Sequence, residues 1–194
     1  MTSNRSRPRR RRRILVAATS AVAVALAAAT VAATNFGPQG DCGDGRCCVC
    51  YADGTRHTLW QPNLGEAFEN AFDWARREIY APTDLRVPKV DTHGASDVAA
   101  YQDDYGDTKW FGIVDCIDYV NDNVCSHWHL HVNSSYGPYT RHQRRVLACH
   151  EFGHTVGLQH VNDDDSCMDN NGALGSERAR LRDHDIRHIN RRYD

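Results

Sequence analysis

The chain has 194 residues, 41% of them hydrophobic and eight of them cysteine, with a formal charge of −2. Residues 1–33 hold seven arginines and no acidic residue, so the remaining 161 residues carry 16 basic and 25 acidic side chains, a formal charge of −9. A body of that length suits one compact domain, and its acidity disfavours a phosphate-binding surface and hence nucleic-acid partners.

The first 33 residues read as a targeting segment. Arg5, Arg7 and Arg9 to Arg13 form a basic region, an uncharged Ala- and Val-rich stretch follows, and Val31 and Ala33 suit a signal peptidase cutting after Ala33. An uncleaved anchor is the competing reading, since about 20 uncharged residues can span a bilayer. The alanine-rich stretch is weakly apolar for a permanent span. Either way the arginines stay on the cytoplasmic side and the body lies outside, secreted or tethered by its N-terminus. A monomer is expected.

Eight cysteines agree with export: Cys42, Cys47, Cys48, Cys50, Cys116, Cys125, Cys149 and Cys167. An even number in an oxidising compartment implies disulfides, and a zinc ribbon would need a second closely spaced pair that the chain lacks. Residues 34–62 form a Cys-rich lead-in with several Gly/Asp turn signals, and residues 63–194 the main domain. The four cysteines of the lead-in allow three pairings.

The 3/4 spacing of Leu64, Ala67, Phe68, Ala71, Phe72, Ala75 and Ile79 predicts a helix over residues 64–80, stopped by Pro82. Strand-like runs follow at residues 85–90, 98–101, 110–117 and 127–133. Cys116 and Cys125 bracket a polar loop between two of these, so a bridge closing a hairpin-like connection is expected. Thr140 opens a second helix with Gln143 as capping-box partner, and Gly157 sits where that helix should end. A last helix is predicted over residues 181–192. The pattern is α+β, a small mixed sheet with three helices.

The chemistry concentrates in residues 150–160. His150 and His154 are i and i+4 on the second helix, so both imidazoles leave one face a turn apart and can meet one metal. Gly157 can turn the chain so that His160 approaches the same point. Three neutral imidazoles select zinc-like ions and leave a fourth position open for water. Glu151, beside the first ligand, is the general base for that water and then the general acid for a leaving amine.

The spacing His150-Glu151-x-x-His154-x-x-Gly157-x-x-His160, followed by Met168, resembles the metzincin clan of zinc endopeptidases. Within it, the compact size is similar to bacterial snapalysin- and matrixin-like enzymes, and His160 favours the three-histidine branch over the snapalysin pattern, whose third ligand is Asp. The resemblance spans about residues 64–194 and implies a metzincin-like fold, peptide or protein substrates lying along a sheet edge near residues 110–115, and Met168 as an apolar floor under the zinc. It also implies a Cys149–Cys167 bridge tying the active-site helix to the Met-turn. The tyrosine that some members place after the methionine is absent, Asp169, Asn170 and Asn171 standing there. The His- and Gly-rich structural-zinc and calcium loops of vertebrate members are absent too.

Other groups take plainer readings. His127, His129 and His131 alternate on one strand face, which is expected to be solvated, a second metal site being the sharper alternative. His184 and His188 read as surface histidines. Asp103, Asp104 and Asp107, and Asp163 to Asp165, read as hydrated loops with Ca2+ as the alternative. A latency switch through one thiolate of the lead-in is disfavoured by the even cysteine count. The alternatives to an endopeptidase are a zinc amide hydrolase acting on a non-peptide substrate and a catalytically silent zinc-containing binding module.

Overall fold

The computed structural model describes residues 50–162, 165–169, 174 and 178–194. The leader with its cut after Ala33, Cys42, Cys47, Cys48, and Asp163 and Asp164 lie outside the described residues. The chain divides into units Met1–Ala32 and Ala33–Asp194, and all described residues belong to the second. Among them no helix is long and apolar enough to cross a membrane.

The elements run β1 (Tyr51–Ala52), β2 (Leu59–Asn63), α1 (Glu66–Trp74), β3 (Val98–Asp103), β4 (Gly112–Asn121), β5 (Val124–Asn133), α2 (Arg141–Thr155) and α3 (Asp183–Tyr193). The architecture is α+β. β5 is the hub of one sheet, paired parallel with β3 and β1 and antiparallel with β4, while β2 adds parallel to β3. Strand alternation explains its position: Trp128, Leu130 and Val132 all point into the core. They meet Val98 and Ala100 of β3, Phe68 and Phe72 of α1, Leu147 and Phe152 of α2, and Ile189 of α3 in one cluster.

Several expectations shift. The first helix starts at Glu66 behind Gly65 and widens into a π-helical stretch over Ala75–Tyr80. Residues 85–90 form no continuous strand. They make only isolated bridges, Arg86 to Arg56 and Lys89 to Leu59, because Pro88 has no N–H to donate to a ladder. Residues 51–62 of the lead-in, in contrast, supply β1 and all of β2 but its last residue, Asn63. The solvated face expected for His127, His129 and His131 is also corrected. His127 is buried, and His129 and His131 are half-buried, under the turn His93–Ala95 and the rings of Tyr101 and Tyr105. That cover comes from a distant segment, which alternation within one strand does not reveal.

The Cys116–Cys125 disulfide links β4 to β5 as expected, and Cys50 is disulfide-bonded too. Tyr193 of α3 accepts a hydrogen bond from Ala52 N at 2.9 Å and donates to Val156 O at 3.0 Å, which clamps the end of α2 to β1.

His57 lies fully buried beside α2, with Nε2 2.9 Å from Thr155 Oγ1 and its ring edge-on to Phe152. Burial pushes its pKa down to about 4, against a smaller opposing pull from Asp97. The unfolded imidazole protonates near 6.5 and the folded one only near 4, so stability is full above about 6.5 and drains as pH falls through that window. Between pH 7.5 and 5 the loss from this group is on the order of 2 kcal/mol. His57→Gln is therefore expected to flatten the fall of the urea midpoint over that range relative to wild type. An unchanged slope would exclude His57 as its source.

Candidate active site

α2 carries the motif and is held at both ends. At its start, Thr140 Oγ1 accepts from Gln143 N at 3.2 Å and Gln143 Oε1 accepts from Thr140 N at 2.8 Å, the reciprocal box expected from the residues. At its end, Gly157 has φ +94°, a conformation that favours glycine, and Leu158 N donates to Gly153 O at 3.0 Å. The turn sends the chain back so that His160 meets the two helical histidines.

The three imidazoles converge. The Nε2 atoms are 3.0 Å apart for His150 and His160, 3.1 Å for His154 and His150, and 3.1 Å for His154 and His160. His150 Nδ1 lies 2.7 Å from Cys167 O and His154 Nδ1 2.8 Å from Leu158 O. A carbonyl can only accept, so both Nδ1 atoms carry the proton and both Nε2 lone pairs point into the cluster. Burial pushes the His150 pKa down to about 4 and drives that of His154 well down, with help from His150 and His160; burial also lowers His160. Neutral imidazoles are what a cation requires.

Three nitrogens bound tetrahedrally at about 2.05 Å would stand about 3.3 Å apart, so the observed spacing fits a zinc-sized ion with little movement. Among the described residues the group comprises these three, and it opens toward solvent at His160. A structural zinc would draw a fourth protein ligand; three leave a position for substrate chemistry.

Glu151 is buried, and burial pushes its pKa up to about 8. Its carboxyl lies against Gly112, the first residue of β4. A Cβ on Gly112 would come within 2.5 Å of Glu151 Cδ and 2.6 Å of Cγ. The glycine was not singled out from the sequence, because nothing local marks it.

Met168 is fully buried, its side chain reaching the backbone of α2 at Gly153, where a Cβ would stand 2.5 Å from the sulfur. The turn around it is fastened to α3: Ser166 Oγ donates to Asp185 Oδ2 at 2.8 Å, Arg182 N donates to the same oxygen at 2.9 Å, and Met168 N donates to Ser166 Oγ at 3.1 Å. Asp185 is a buried organiser that residue spacing did not flag. The Cys149–Cys167 disulfide joins α2 to this turn, and the carbonyl of the same Cys167 orients His150.

The remaining singled-out groups lie elsewhere. Asp107 pairs with Lys109 Nζ at 2.5 Å and Tyr136 Oη at 2.9 Å, and Asp103 and Asp104 accept from backbone N–H groups of their own loop. His184 and His188 are half-buried neighbours on α3. Cys50, being bridged, offers no free thiol.

The matrixin family profile matches residues 56–194, which contain every element of the site. The chain belongs to the matrixin family. This matrixin is a zinc-dependent metalloendopeptidase acting on peptide or protein substrates, with the α+β fold expected of the clan. Comparison with curated proteins finds no match.

Proposed function

We propose that this matrixin is an exported endopeptidase that hydrolyses peptide bonds at the His150–His154–His160 cluster, with Glu151 as general base and then general acid. The observation that carries the assignment is the 3.0–3.1 Å spacing of three Nε2 atoms, two of them oriented by backbone carbonyls. Zinc held there would supply Lewis acidity, lowering the pKa of a water toward about 7. Glu151 takes a proton from the attacking water on its carboxylate oxygen as the water oxygen bonds to the carbonyl carbon, and returns it to the amine nitrogen as the C–N bond breaks. Its burial against Gly112 keeps bulk water from competing for that proton. Met168 acts through packing, as an apolar floor that holds α2 and the turn at fixed separation.

Substrate is proposed to lie extended along β4. This strand has β5 as its ladder partner among the described residues, so its other edge can take an extended peptide beside Glu151. Export is supported by the arginine-led apolar N-terminus and by two disulfides, which persist in oxidising compartments. His160→Ala, at a solvent-facing loop position, is expected to fold, to lose one bound zinc and to lose at least about 100-fold of peptide cleavage, the scale on which even outer-shell partners matter. Zinc content and cleavage both matching wild type would exclude His160 as a ligand.

A further inference from the structure

Four arginines that no carboxylate neutralises line one groove between α1 and α2. The groove has a volume of about 550 Å³, and Arg77, Arg141, Arg144 and Arg145 stand along it with Trp74 and Glu66. Helical geometry gathers three of them: Arg141, Arg144 and Arg145 are spaced i, i+3 and i+4 and leave α2 on one side. Arg77 comes from the π-helical stretch that continues α1. Among the described residues none of the four is in an ion pair, the pairs being those of Arg76, Lys109, Arg178, Arg180 and His184.

A body with 16 basic against 25 acidic side chains has carboxylates to spare for these arginines, yet leaves them side by side. Desolvation and the charge of Arg141 both lower the Arg145 pKa, against a smaller pull from Glu78. An anionic ligand would relieve that repulsion and take charge-assisted hydrogen bonds from the guanidinium groups. Two of the side chains are already held in place. Arg145 lies over the Trp74 ring, 4.5 Å from its centroid, and Arg144 donates to Tyr139 O. Groups fixed beforehand lose little freedom on binding.

We propose that this groove docks an acidic segment of a protein substrate, away from the bond that is cut. Its role as a substrate site rests on the endopeptidase reading; the binding itself does not. Two features favour a protein segment over a sulfated or phosphorylated polymer. Glu66, Ala67 and Arg144 also line a neighbouring hollow of about 320 Å³ with Phe68, Pro138 and Tyr139, which seats an apolar side chain beside the charges. Without the four arginines the body has 12 basic and 25 acidic side chains, a formal charge of −13, and repels a polyanion that runs beyond the groove. Arg145 and Arg141 precede His150 by five and nine residues on one helix, roughly 8–14 Å along its axis. A segment joined to the scissile bond by a short linker can span that distance.

The test compares two substrates that share one neutral cleavable sequence followed by a flexible linker of about 12 residues. One ends in a tail of glutamates with one leucine, the other in the same tail with glutamine for glutamate. For the wild-type full chain the glutamate tail is expected to lower KM by about 5–10-fold at unchanged kcat, a gain that fades in about 0.5 M salt. Arg77→Glu/Arg141→Glu reverses two exposed charges and spares the Arg145–Trp74 and Arg144–Tyr139 contacts. It should cut the glutamine-tailed substrate as wild type does and lose the preference. A glutamate tail that brings no gain in wild type, or a gain that survives the double substitution, overturns the proposal. So does heparin binding that depends on the two arginines while the glutamate tail does not bind. If neither substrate is cut, the endopeptidase reading fails by itself, and fluorescence anisotropy of the labelled glutamate tail decides the groove. Binding by wild type that the double variant loses upholds it; equal binding by both, or none, overturns it.

Discussion

Glu151→Gln is expected to keep the fold and the bound zinc and to cut kcat/KM for peptide cleavage by about 10²–10⁴-fold, the usual worth of a positioned acid–base group. The substitution preserves shape and removes only the ability to take and return a proton. Glu151 is no ligand in the observed cluster, so zinc content should not change. Its carboxyl is buried and held at a raised pKa by burial, so a neutral amide there should leave the thermal midpoint equal or slightly higher. Cleavage, zinc content and midpoint measured on one preparation separate the possibilities. Unchanged cleavage would place the base elsewhere, and lost zinc would make Glu151 part of the ligand set.

Gly112→Ala should be nearly as damaging, although the residue is neither a proposed metal ligand nor a disulfide cysteine. The added methyl would need the space now held by Glu151 Cγ and Cδ, at 2.5–2.6 Å. β4 is anchored to β5 by the Gly112–Val132 pair and by the Cys116–Cys125 disulfide, so the strand yields less easily than the side chain. The carboxyl is therefore pushed off its position, and a displacement near 1 Å can cost about 100-fold in rate. The expected signature is a fall in kcat at constant zinc content and little change in KM, because the ligands and the open strand edge are untouched. A fall in KM-dependent binding alone would mean that the methyl displaces substrate instead of Glu151.

The convergence of the three histidines was legible in the residues because its geometry is largely local. Positions i and i+4 share a helix face whatever the rest of the chain does, and Gly157 needs only its own backbone freedom to deliver His160. The Thr140–Gln143 box was legible for the same reason. What escaped depends on segments far apart in the chain. Gly112 matters only because β4 passes Glu151, Asp185 because α3 reaches the turn at Ser166, and His93 because a turn before β3 folds over β5. Periodicity found the face shared by His127 and His129 and missed its cover. β2 was missed because Gln61 and Pro62 interrupt its apolar pattern, while Pro88 breaks a run whose composition reads as strand.

The most direct test of the central claim follows cleavage of an unbiased peptide library by the full chain as purified, after chelation, and after zinc is restored, with products identified by mass spectrometry. The three-histidine assignment predicts internal peptide-bond cleavage that disappears with chelator and returns with zinc. Cleavage that persists in the chelated protein, or a zinc-loaded protein that cuts no peptide, would contradict it.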